Sequence, residues 1–143
     1  MHELETTVSR IIPASREALF KAWLSPETLA KFMRPPSGPA EKSRVSTDPV
    51  RGGRFSIVMI TPEKEIPHAG TYLAIEPFSH LSFTWESPYS LDDSTVTVDF
   101  AELEPNRTEI TIRQVKFRSV EARDGHAKGW TAILNNLAES LAV

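Results

Sequence analysis

The side chains best suited to proton transfer or metal binding in this sequence are four histidines: His2, His68, His80 and His126. Their spacing fits no metal site, since neither H-E-x-x-H nor a similar pairing occurs. His68 follows Pro67 in a segment that reads as a loop, and His80 follows Ser79 in one that reads as a turn. Each is read as solvated or locally bonded. Asp92 and Asp93 look like a carboxylate pair for acid–base work, but they stand in "SLDDS", a turn composition. No G-x-S-x-G nucleophile elbow is present. There are no cysteines, which removes a thiol nucleophile, thiolate metal sites and disulfides together. The expectation is therefore no catalytic set, no metal and no cofactor.

The remaining chemistry is that of binding. Phe55, Ile57 and Met59 alternate on one face of a segment. Phe83 and Trp85 share a face with Leu81, and Val98 and Phe100 share one with Val96. Trp130 and Leu134 lie on one stripe of a helical pattern, and Phe32 and Met33 precede a proline-rich stretch. Gln114 is in phase with Ile110 and Ile112 and so should point inward. A buried amide needs partners, so it would orient a ligand or bond a neighbour or water. These twelve residues form the candidate lining of an apolar cavity, the usual composition of a ligand site. Trp85 and Trp130 are expected to face one shared space, the alternative being that the two rings pack on each other and fill it. Lys31, Arg34, Lys42, Arg44, Arg51 and Arg54 cluster in sequence. They read as a solvated face, with an anion-attracting or partner-attracting patch as the functional alternative.

Positioning these residues takes two kinds of element. "LETTVSRIIPAS" reads as a strand closed by Pro13. Ser15 can cap the helix "REALFKAWL", and Ser25 can cap a second, "ETLAKFM", with Pro26 at its first position. From about Ser43 the period becomes two. "KSRVST", "GRFSIVMI", "AGTYLAIE", "HLSFTWES", "STVTVDFAEL" and "TEITIRQVKF" read as strands, and "TPEKEIPH" as a turn. One-sided alternation with short connections marks an antiparallel sheet with one wet face. The apolar face needs a cover. Trp130, Ile133, Leu134, Leu137 and Leu141 form a single stripe that supplies it. The helix would begin as early as Ser119. Gly125 and Gly129 each cost about 1 kcal/mol in a helix, which suggests close approach to another backbone.

Composition sets outer limits. The chain has 143 residues, 40% hydrophobic and 24% charged, enough for one domain (1–143) with a real core. A net charge of −3 gives no electrostatic case for nucleic acid. The N-terminus shows no signal peptide and no apolar run reaches membrane-spanning length, so a cytoplasmic location without membrane insertion is expected.

The order strand, two short helices, six strands, long helix resembles the START-like (SRPBCC) superfamily. The phrases "VSRIIPASREALFKAWLSPETLAKF", "DPVRGGRF", "GTYLAIEPFSHLSFTWES", "STVTVDF" and "GHAKGWTAILNNLAESL" are similar to the branch related to the C-terminal domain of the Hsp90 ATPase activator Aha1. Gly52-Gly53, Gly70, Pro77, "LSFTW" and Gly129-Trp130 carry most of that likeness. Two places differ from the family pattern. Phe32-Met33 stand where a tryptophan pair is common, and Arg51 stands one place late, which on a strand would turn it to the other face. The resemblance implies an α+β helix-grip (Bet v 1-like) fold, a curved antiparallel sheet wrapped around the C-terminal helix. It implies a cavity that takes a small hydrophobic or amphipathic molecule. It also implies two alternatives: a protein-interaction module with a chaperone or other protein as partner, and a cyclase or hydrolase acting on a pocket-bound molecule.

Overall fold

The computed structural model describes residues 4–33, 43–61, 64–87, 94–117 and 119–141. Helix α1 (Arg16–Leu24) starts where Ser15 accepts the Ala18 N–H on its hydroxyl at 3.1 Å. Ser25 then does two jobs. Its backbone N–H donates to the Lys21 carbonyl at 3.0 Å and closes α1, and its hydroxyl accepts the Thr28 N–H at 3.4 Å and opens α2 (Pro26–Phe32). Pro26 occupies the first turn, where no N–H is needed. The helix stops one residue short of the expected end, and Met33 is its C-cap.

Seven strands follow the sequence as β1 (Glu5–Ile12), β2 (Arg44–Thr47), β3 (Arg54–Ile60), β4 (Glu65–Glu76), β5 (His80–Thr84), β6 (Thr95–Glu104) and β7 (Arg107–Val115). They form one antiparallel sheet in the order β1-β7-β6-β5-β4-β3-β2. The inner face is apolar as the alternation requires: Phe55, Ile57 and Met59 on β3, Leu81 and Phe83 on β5, Val96, Val98 and Phe100 on β6, Ile110 and Ile112 on β7. Trp85 lies just past β5 but keeps its phase, because its N–H donates to the Ser94 carbonyl and Glu86 bridges Ala69.

Three readings change. The expected turn "TPEKEIPH" is partly strand, since β4 begins at Glu65. Pro67 is tolerated because it shares the parity of Ala69, whose N–H points away from β3 to the Glu86 carbonyl, so the β3–β4 ladder needs no N–H from it. His68 is therefore a buried strand residue, not a loop residue, and His80 opens β5. Arg51 lies in a turn, not on a strand, so the face argument does not apply to it. Gly52 in that turn has φ 85°, and its N–H reaches the Tyr72 carbonyl at 2.8 Å. Gly70 answers a close approach: a Cβ there would stand 2.0 Å from the Thr84 carbonyl oxygen and 2.6 Å from the Phe55 ring.

Helix α3 (Val120–Leu141) lies against the inner face, with Ser119 accepting the Ala122 N–H at 3.1 Å. Trp130, Ile133, Leu134 and Leu137 are buried; the Leu141 side chain lies outside the described set. The result is the α+β helix-grip arrangement. The two helix glycines do not mark a close approach, because a Cβ at Gly125 or Gly129 would meet nothing within 4 Å. Gly125→Ala and Gly129→Ala should therefore each stabilise the protein by about 0.5–1 kcal/mol, read as a higher urea midpoint. Leu137 is fully buried, and Leu137→Ala should cost about 2–5 kcal/mol. A loss below about 1 kcal/mol in thermal unfolding would mean that the sheet does not grip this helix.

Candidate functional site

Between the α1–α2 corner and strands β3–β5 lies an apolar recess. Trp23 comes from α1, Leu29 and the capping Met33 from α2, Phe55 and Ile57 from β3, Tyr72 from β4, Phe83 from β5 and Trp85 from just beyond it. Its free interior has room for roughly one water, far short of the volume usual for a small-molecule site. The side chains thus nearly fill it.

Five of the twelve candidate residues line this recess: Met33, Phe55, Ile57, Phe83 and Trp85. The others are buried elsewhere in the same core. Phe32 packs edge-on against Trp23 at 5.3 Å, and Phe100 against Phe20, in the middle of α1, at 5.7 Å. Met59, Val98, Leu134, Gln114 and Trp130 are core residues outside the lining. Sequence reasoning left out Trp23, Leu29 and Tyr72. Tyr72 was findable, since it stands two residues from Gly70 on the same strand face. Trp23 was not, because α1 periodicity says only that it is buried.

The three tryptophans are treated differently. Trp130 donates its indole N–H to Gln114 Oε1 at 2.7 Å, Gln114 Nε2 donates to Ser94 Oγ at 2.9 Å, and the Ser94 hydroxyl donates to the Val115 carbonyl at 2.8 Å. Gln114 thus bonds its neighbours across the helix–sheet interface. Trp85 and Trp130 pack ring on ring, centroids 4.9 Å apart, rather than facing each other across an open space. Trp23 also lies against Trp130, with ring centroids 6.5 Å apart. The indole N–H groups of Trp23 and Trp85 are buried and have no acceptor among the described residues.

Titratable groups surround the recess sparsely. Burial raises the Tyr72 hydroxyl to about 12, and the nearby Asp48 carboxylate adds to the rise. His68 lies against Trp85 with ring centroids 5.0 Å apart. Burial holds it down at about 4, against the opposing pull of the Ile57 and Ile66 backbone carbonyls. His126, on α3, is also lowered by burial, although its Nδ1 donates to the Ala122 carbonyl at 2.7 Å. His80 Nδ1 stands 2.6 Å from Asp99 Oδ1 on the outer sheet face. Two of the four described members of the basic cluster are paired with carboxylates. Arg44 pairs with Glu65 at 2.5 Å and Arg54 with Glu86 at 2.8 Å, and each arginine holds its carboxylate below the usual range. His2, Arg34, Lys42, Asp92 and Asp93 lie outside the described residues. Among those described, no three His, Asp or Glu side chains are grouped to hold a metal, and no helix is long and apolar enough to cross a membrane.

A helix-grip domain with an apolar recess under its short helices is the class these features define. A model of the family "Activator of Hsp90 ATPase homolog 1-like protein" matches residues 13–142, and the chain belongs to that family. Solved structures share the fold. Protein CV1439 from Chromobacterium violaceum is 22% identical, with 96% of each chain covered and a TM-score of 0.80. MLL2253 from Mesorhizobium loti is 24% identical over 96% of each chain, with a TM-score of 0.75. PFC0360w, described as an HSP90 activator from Plasmodium falciparum, is 21% identical over 96% of each chain, with a TM-score of 0.77. No curated protein matches the chain.

The buried histidine makes stability depend on pH. In the unfolded chain His68 titrates near 6.5 and in the folded chain near 4. Above pH 6.5 both states are neutral and stability is complete. As the pH falls from 6.5 toward 4 the unfolded chain takes up a proton that the folded chain refuses. About 3 kcal/mol of stability should be lost across that window, with His126 acting in the same direction. Urea unfolding of wild type and His68→Gln from about pH 7 down to about 4.5 measures it. The substituted chain should lose clearly less, and equal losses would remove His68 as the cause.

Proposed function

We propose that the protein binds a small hydrophobic or amphipathic molecule in the recess under α1 and α2. The supporting observation is the wall itself: seven apolar side chains and one tyrosine, with two buried indole donors that find no acceptor among the described residues. Ligand sites combine a mostly apolar lining with a few polar groups in this way. The small free interior means that entry displaces a side chain. Met33 is suited to move, being unbranched, at the end of α2 and on the wall.

A second reading, a protein-interaction module related to Hsp90 ATPase activation, is favoured by the family assignment and by the nearly filled interior. One pair of measurements separates the two. Titration with the neutral dye N-phenyl-1-naphthylamine should saturate at one site, and Met33→Trp, which adds bulk to an already buried wall position, should weaken it about tenfold while costing about 1–3 kcal/mol of stability. Unsaturable binding, or binding indifferent to that substitution, counts against the recess. Stimulation of Hsp90 ATPase activity by the added chain, unaffected by Met33→Trp, would support the second reading instead.

A further inference from the structure

Indole is a hydrogen-bond donor only, so whatever satisfies Trp23 and Trp85 must bring an acceptor. Both rings line the recess, both are almost wholly buried (3% and 2% exposed), and neither N–H has a partner among the described residues. The third tryptophan shows what this sequence does when an indole is structural. Trp130 is given Gln114, and Gln114 is itself satisfied through Ser94. Two buried donors without a partner among the described residues, on rings that line one recess, stand beside a bonded one. A buried donor left unmade is costly to stability, and an incoming acceptor would remove that cost.

Charge narrows the ligand further. The described lining contains no lysine, arginine or histidine. Arg44 and Arg54 are committed to Glu65 and Glu86 in exposed pairs. His68, beside Trp85, is neutral at physiological pH, and Asp48 acts electrostatically on the Tyr72 hydroxyl. A carboxylate or phosphate would lose its water here without meeting a cation, an arrangement that burial penalises heavily. An uncharged oxygen acceptor meets two donors and no such penalty.

We propose, resting on the binding reading above, that the recess selects an uncharged molecule carrying an acceptor oxygen, of the ketone, ester or ether class, held by the indole N–H groups of Trp23 and Trp85. Ligands of that class would discriminate themselves from hydrocarbons by these two bonds and from acids by the lack of a counter-ion.

Three probes of similar size test it: acetophenone, ethylbenzene and benzoate. Titration followed by the indole cross-peaks of a proton–nitrogen correlation spectrum reads affinity and site together. Acetophenone should bind about five- to tenfold tighter than ethylbenzene and at least about tenfold tighter than benzoate. It should move the Trp23 and Trp85 indole protons downfield and leave that of Trp130 in place. Trp23→Phe and Trp85→Phe should each reduce the preference for acetophenone over ethylbenzene, a ratio that a mere change of cavity shape would not alter selectively. Ethylbenzene binding as tightly as acetophenone would overturn the acceptor role while leaving the binding reading intact. Benzoate binding as tightly as acetophenone would overturn the selection for uncharged ligands. Failure of all three probes to bind would overturn the binding reading and this inference with it.

Discussion

Laying a helix across a sheet takes its polar groups out of water together with its apolar ones. Trp130 is where the chain meets that constraint. Its ring opens the buried stripe of α3, and its N–H must then be satisfied inside. Gln114 on β7 supplies the acceptor, its Nε2 donates one hydrogen to Ser94, and the Ser94 hydroxyl ends the series on a β7 carbonyl. The chain of bonds runs from helix to sheet. It fixes which turn of α3 sits over which strand, something that interchangeable leucines could not do.

With α3 fixed, the rest of the inner face is divided. Phe20, Phe78 and Phe100 close one end of the core with edge-on contacts. At the other end Phe55, Tyr72, Phe83 and Trp85 form a second aromatic group under the short helices. Gly70 is what allows this group to sit where it does, because any larger residue there would displace the Phe55 ring. The recess is therefore less a gap left over in the core than a boundary between an aromatic floor on the sheet and an apolar roof on α1 and α2. Asn136 ties that roof down by donating to the Phe32 carbonyl at 3.2 Å, and the Ser43 hydroxyl does the same for the Met33 carbonyl at 2.6 Å.

Most of the fold was legible because its two periods are clean. Alternation in "LSFTW" and "TVTVDF" places Leu81, Phe83, Trp85, Val96, Val98 and Phe100 inward, and the stripe through Leu134 and Leu137 places α3. The misreadings have local causes. Pro67 looks like a strand breaker, and only pairing shows that its missing N–H is not needed. Glycine in a helix suggests contact, but Gly125 and Gly129 have empty space beside them. The candidate site was legible in composition and not in assembly. Period two identifies inward residues without saying which of them meet α2, so Met59 and Val98 looked equivalent to Ile57. Trp23 and Leu29 enter the site through the angle between two helices, which no one-dimensional pattern carries.

That angle is set at one residue. Ser25 ends α1 with its backbone and begins α2 with its side chain, so there is no slack between the helices. A junction with no spare residue has no way to absorb a change in length. One residue inserted there would turn α2 by roughly a quarter of its circumference and carry Leu29 and Met33 off the wall. The tip of the β6–β7 hairpin, exposed from Ala101 to Arg107, carries no such demand. Natural variation in chain length among relatives should accordingly collect at the hairpin and spare the serine corner.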